Sequence, residues 1–273
     1  MARKLQAAAA AYAAAGILSL LLAAPALSQN QPAATPVMPA PFSRDCQAGQ
    51  AESINASPLP NVAAALRQRK VVRILAIGAS ALVDLPGRRG SYTDEIKRIL
   101  QQAITGLDVV MIDRGVSGEL AAGAARRIRI AVALHEPDLI LWQVGTNDAF
   151  AYVPIDDLRD TIVGTIRWLR AHKVDVVLAG LQFVTRMAQD DHYRAVRELI
   201  RNIAAQEKVV VVRRREAMRL LGQTRESGGG LFPEEFAESE LGYACLAEYV
   251  ARVIALGAFG GGLRDQPPRR TSP

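Results

Sequence analysis

From Val71 to Val212 the chain alternates short β-branched runs with longer stretches of helical periodicity, and the runs are apolar along their whole length. That pattern predicts parallel strands joined by helices and covered on both faces, since a sheet with one wet side would show polar residues at every second position. The strands are expected at Val71–Ile77, Asp108–Ile112, Asp138–Val144, Asp175–Ala179 and Val209–Val212. Helical periodicity covers about Tyr92–Ile104, Glu119–Leu134, Ile155–Ala171, Asp190–Glu207 and Glu240–Leu256. The expected architecture is α/β, a three-layer α/β/α sandwich around a five-stranded parallel sheet.

In open sheets of this kind the ligand crevice lies beyond the carboxyl ends of the strands. Three polar, glycine-containing segments fall there: Gly78-Ala79-Ser80, Gly115-Val116-Ser117-Gly118 and Gly145-Thr146-Asn147-Asp148. Taken singly, each has a plain structural use, Ser80 as a helix N-cap, Gly115 as a turn glycine and Asn147 as an Asx-turn residue. Their shared edge and order point instead to one site. No phosphate-binding or dinucleotide-binding glycine motif occurs, and three scattered histidines with two distant cysteines make no metal-ligand spacing, so no cofactor and no metal are expected.

The chain ends and its charge bound the setting. Arg3 and Lys4 precede an apolar stretch from about Ala7 to Leu27, followed by Ala26-Leu27-Ser28 with small residues at the cleavage-determining positions. Residues 1–28 are therefore read as a signal peptide, and the protein as exported, periplasmic or secreted. A membrane association is expected only if the segment stays uncleaved. Residues 29–60 read as a Pro/Ala-rich linker and N-terminal segment, 61–258 as the folded domain and 259–273 as a tail. Cys46 and Cys245 are an even pair in an exported chain, which leaves two readings open, a disulfide or two unrelated thiols. The formal charge of +6 is spread over Arg126, Arg127 and Arg129, then Arg213, Arg214 and Arg215, then Arg269 and Arg270, and is read as solvated helix faces. An aromatic content of 5% argues against a stacking surface for nucleic acid.

Over about Val71 to Leu256 these motifs resemble the SGNH hydrolases, the GDSL esterase/lipase family. The resemblance implies their flavodoxin-like sandwich and an ester hydrolase acting on a small acyl ester or an acylated carbohydrate. It implies Ser80 as nucleophile, although Ala79 stands where the family's first block has Asp. Gly115 and Asn147 match its second and third blocks and, with the Ser80 N–H, are implied as donors to the oxyanion of acyl transfer. Glycine at 115 would let the backbone approach the bound oxygen.

The family's final block resembles Pro-Asp-x-Phe-His-x-x-x-x-Gly-Tyr, and here the register is kept by Pro233, Phe236, Gly242 and Tyr243. Ala237 then stands in the position of the base and Glu234 in that of its orienting acid. A methyl group accepts no proton, and loss of a triad member leaves only the ~10³–10⁴-fold over water supplied by the oxyanion hole and binding. His135 and His172 are expected at the far edge of the sheet. His192 opens the helix after the fourth strand, on the crevice side, and is the candidate substitute base, its plain alternative being a solvated first-turn histidine beside an Asp190 cap. Glu234, Glu235 and Glu238 are weaker candidates, since an ordinary carboxylate is a poor base for a hydroxyl. Three readings follow: an impaired ester hydrolase, a pseudoenzyme that keeps the crevice to bind an envelope carbohydrate or protein partner, and a secreted scaffold without a ligand.

Overall fold

A computed structural model describes residues 43–46, 54–55, 57–69, 71–78, 92–226 and 233–263. The expected signal peptide, most of the linker, Ala79, Ser80 and the end of the tail lie outside these residues. Five parallel strands form the sheet: β2 (Val71–Gly78), β3 (Asp108–Gly115), β4 (Leu139–Gln143), β5 (Asp175–Ala179) and β6 (Val210–Val212). A sixth strand, β1 (Ile54–Asn55), pairs antiparallel with β6 at the edge. It has two residues, too few for any periodicity to show, and it lies in the segment read from sequence as linker.

The order across the sheet is β1-β6-β5-β4-β2-β3. Its parallel part is the doubly wound flavodoxin-like order, in which the chain reverses direction beside its first strand and opens a crevice at that switch point. Here the first parallel strand is β2, flanked by β3 and β4.

Successive side chains on a strand face opposite layers, and the two cores divide accordingly. Val72, Ile74 and Ala76 pack with α1 (Pro60–Gln68), α2 (Tyr92–Ala103), α7 (Arg214–Glu226) and α9 (Glu240–Leu263), through residues such as Val62, Ile96, Leu100, Met218, Tyr249 and Val253. Leu75 and Ile77 pack with α3 (Ala121–His135), α5 (Ile155–Ala171) and α6 (Asp191–Gln206), through Ile128, Ile162, Ile166, Val196 and Ile200. Two further short helices, α4 (Thr146–Phe150) and α8 (Pro233–Glu238), follow β4 and precede α9.

Several elements depart from the sequence reading. β2 and β3 run on to end together at Gly78 and Gly115, which are register partners. β3 is an edge strand, and Asp108, Val110 and Arg114 are exposed, so this strand is not covered along its length as its apolar residues suggested. α1, α4 and α8 lie outside the helices expected from the sequence. Cys46 and Cys245 are joined, with an S–S distance of 2.01 Å.

Candidate active site

The site is built where β2, β3 and β4 finish. Gly78 is in register with Gly115 on one side and Gln143 on the other, so the three strands stop at one level. The Val116 N–H donates to the Gly78 carbonyl at 2.9 Å, which carries the second loop across the end of β2. After β4 the chain turns through Gly145 into α4, whose second residue is Asn147. The structure thus brings Gly115 and Asn147 to the same edge, and the chain passes from Gly78 through Ala79 toward Ser80, which lies outside the described residues.

Asn147 is half-buried, and its side-chain amide donates to the Glu119 carbonyl in the loop after β3 at 3.1 Å. That is the one hydrogen bond its side chain makes among the described residues. A primary amide carries two N–H groups, so a second remains for a ligand oxygen. Glu119 itself is clamped by the Arg127 guanidinium, which donates to both carboxylate oxygens at 2.8 Å and also to the Arg114 carbonyl. The loop holding the amide is therefore tied to α3.

Asp148 fastens the same two pieces from beneath. Its carboxylate accepts from the Ala121 N–H at 2.8 Å and from the Gly145 N–H at 3.2 Å, both in buried surroundings. Desolvation pushes its pKa above the ordinary carboxylate value, opposed by the N–H groups of Ala121 and Gly145. Because the folded state binds this proton more tightly, ionisation of Asp148 opposes folding above its folded-state pKa, and that penalty fades as the pH falls through it. We expect Asp148→Ala to cost about 2–3 kcal/mol, two buried N–H groups losing their acceptor. Urea unfolding at pH 7 and pH 4 should find the parent's margin over the variant wider at the lower pH.

Thr146 completes the frame, its hydroxyl oxygen accepting from the Gln182 N–H at 2.9 Å, while the buried Tyr193 hydroxyl donates to the Gln182 carbonyl. The segment after β5 is thus held beside α4. Val116, Leu120, Phe150 and Tyr152 are large apolar or aromatic side chains left exposed on these same loops. They give the edge an apolar rim.

The histidines are dispersed. His135 ends α3, its Nε2 3.2 Å from the Arg114 guanidinium, and His172 follows α5, stacked on Trp168 at 3.9 Å. His192 lies in the first turn of α6, stacked on Tyr152 at 5.2 Å, with its Nε2 shielded from solvent and without a hydrogen bond among the described residues. Asp190 does not orient it: that carboxylate accepts from the Tyr193 N–H at 2.7 Å as the helix cap and from the Tyr152 hydroxyl at 2.8 Å. These bonds, the Tyr193 N–H first, hold the Asp190 pKa below its ordinary value. Ala237 is 2% exposed and belongs to the core with Phe236 and Tyr243. Among the described residues no cluster of His, Cys, Asp and Glu is placed to hold a metal.

One reading is corrected. Arg214 and Arg215 are not a solvated helix face; they are 1% and 8% exposed. They open α7 directly after β6, on the carboxyl edge, with the Arg214 guanidinium 5.9 Å from the Tyr243 ring and that of Arg215 5.5 Å from the Phe183 ring. The signal was available: Arg213–Arg215 follow a strand at the same edge that singles out Gly115 and Asn147. By charge alone the run of three arginines reads as a solvated helix face.

Residues 45–259 match the model of the non-GDSL lipase-like family. Esterase TesA of Pseudomonas aeruginosa is 24% identical over 148 residues, 54% of this chain and 72% of that protein. Among solved structures, the lipase/acylhydrolase from Enterococcus faecalis superposes with a TM-score of 0.55 at 20% identity, covering 67% of this chain and 95% of the other. Axe2, an acetylxylan esterase from Geobacillus stearothermophilus, gives 0.55 at 18% identity over 67% and 94%. At such identities the structural matches speak for the fold, and the family model speaks for descent. With a single model running from the disulfide-bonded N-terminal turn to the last helix, the chain belongs to the non-GDSL lipase-like family.

Proposed function

We propose that the chain is an exported serine ester hydrolase of low turnover, acting on small acyl esters, acylated carbohydrates among them. In this reading the Ser80 hydroxyl attacks the acyl carbonyl, and the oxyanion that forms is met by the backbone N–H groups of Ser80 and Gly115 and by the Asn147 amide. The observation that carries it is the half-buried Asn147 amide, held by Glu119 at 3.1 Å with one N–H to spare, on the strand edge it shares with Gly115. An ester-hydrolysing relative and the rim of Val116, Leu120, Phe150 and Tyr152 support the same class of substrate. The apolar amino-terminal stretch and the Cys46–Cys245 bridge support export.

Turnover is low because the serine proton has no imidazole to receive it at position 237. General-base assistance contributes ~10²–10⁴-fold, so the remaining catalysis rests on the oxyanion donors. A second reading, a pseudoenzyme that binds an acylated carbohydrate or an envelope partner without cleaving it, is favoured by one observation: the residue at position 237 is a buried alanine, which accepts no proton.

Purified protein assayed with p-nitrophenyl acetate tests the proposal. Slow turnover that disappears in Ser80→Ala is expected, with Ala237→His, alone or with Glu234→Asp, raising kcat/KM by about 10²-fold. Equal rates for the parent and Ser80→Ala would remove the hydrolase reading. Saturable binding of an acetylated sugar without Ser80-dependent turnover would establish the second.

A further inference from the structure

Arg215 is the buried charge that the reaction leaves unused. It is 8% exposed, its Nε is shut off from solvent, and among the described residues it makes neither a hydrogen bond nor an ion pair. Its guanidinium rests over Phe183, 5.5 Å from the ring centroid. A cation–π contact recovers part of what dehydration costs an arginine, but it leaves the guanidinium's N–H donors without acceptors. A buried cation without a paired carboxylate is unfavourable, and an anion arriving beside it relieves that cost.

The surroundings are crowded with like charge. Arg197 of α6, Arg214 and Arg219 stand around Arg215 and Tyr193, together with the Glu216 carboxylate, whose Oε1 is 3.9 Å from the Arg197 Nε. Burial first, and Arg197 next, hold the Arg215 pKa below the ordinary guanidinium value. The Arg197 side chain is 27% exposed and opens the cluster to solvent.

The cluster also lies in the right place. Phe183, beneath Arg215, follows Gln182, whose N–H donates to Thr146 next to Asn147. Tyr193, which also bonds Gln182, joins the two regions. Arg215 therefore stands on the β5–β6 side of the carboxyl edge, while Gly78 and Gly115 stand on the β2–β3 side.

We propose that Arg215, with Arg197 at its open side, forms an anion-binding subsite of this crevice, which receives a carboxylate or phosphate carried by the bound molecule. The planar fork of arginine fits either group through paired N–H donors. The subsite rests on the reading of the crevice as a ligand site, and not on turnover. A neutral acyl ester would leave it empty; an ester whose acyl or alcohol part bears an anion would fill it.

Thermal unfolding of the whole chain in inorganic phosphate or in succinate, each against sodium chloride at equal ionic strength, tests this. The parent should rise by about 5 °C at twenty times Kd, and the anion giving the lower Kd identifies the preferred group. Arg215→Gln should lose the shift, and Arg197→Gln should weaken binding by about tenfold while leaving the buried position intact. If Arg215→Gln does not fold, Arg197→Gln carries the comparison. No shift in the parent, or an equal shift in the parent and in the folded variants, overturns the subsite. Because the readout is binding, absent esterase activity leaves the result standing, and an active esterase that ignores both anions sinks the subsite alone.

Discussion

Removing the Cys46–Cys245 bridge by the double change to Ala is expected to lower stability by about 5 kcal/mol. The two residues are 199 apart in sequence, so the bridge closes almost the whole domain into one loop. In the chain-entropy model a loop of that length restricts the unfolded chain by about 5 kcal/mol, near the top of the range for a single disulfide. The folded side adds local contacts, since the Tyr249 hydroxyl donates to the Cys46 carbonyl at 3.2 Å and the Ser43 N–H donates to Glu248 at 3.0 Å. Domains of this size have about 5–15 kcal/mol in all, so the loss is between a third of the stability and all of it. Urea unfolding of the oxidised parent and of the double variant should place the variant's midpoint lower by roughly 2–3 M, for a slope of about 2 kcal/mol/M. Coincident midpoints would mean that the amino-terminal turn is held by α9 without the bond.

The sheet was legible because its strands are apolar on both faces and long enough to interrupt the helical period, as in Leu139–Gln143 and Asp175–Ala179. The location of the candidate site followed from the same reading, since Gly115 and Asn147 stand at strand ends. What escaped was short or ambivalent. β1 has two residues and α4 has five, below the length at which periodicity can be told from chance. α7 begins with arginines and averages polar, so nothing in its composition announces that its first turn is buried. Burial of a guanidinium is decided by what stands over it, here Phe183 and Tyr243, which are 32 and 29 residues away from the arginines they meet. Ala237 was legible as a missing imidazole, but its place in the core could not be read from the Phe236–Tyr243 register.

Gly78→Ala is expected to lose more than about 4 kcal/mol and with it the candidate site, whereas Gly118→Ala is expected to lose about 1 kcal/mol. Both glycines have positive φ, +113° at Gly78 and +73° at Gly118, so both substitutions carry the steric cost of a Cβ in that region. The difference lies in what the new methyl meets. At Gly118 nothing stands within 4 Å; at Gly78 a Cβ would be 2.1 Å from the Gln143 carbonyl oxygen and 3.0 Å from its carbon. Those atoms belong to β4, the strand paired with β2 at the switch point, and strand backbone cannot swing aside as a flexible side chain can. Relief requires the ends of β2 and β4 to part, which breaks their last pairing and shifts the turn through Gly145 that carries Asn147. A loss this large belongs to the few mechanisms that exceed the usual range for single substitutions. Circular dichroism with urea unfolding of the two variants would settle it, and Gly78→Ala within 1 kcal/mol of Gly118→Ala would mean that the strand ends are free to spread. In that event the alignment of Gly78, Gly115 and Gln143 at one level would be a resting arrangement rather than a constraint, and the Asn147 amide would have no fixed relation to the strand that leads to Ser80.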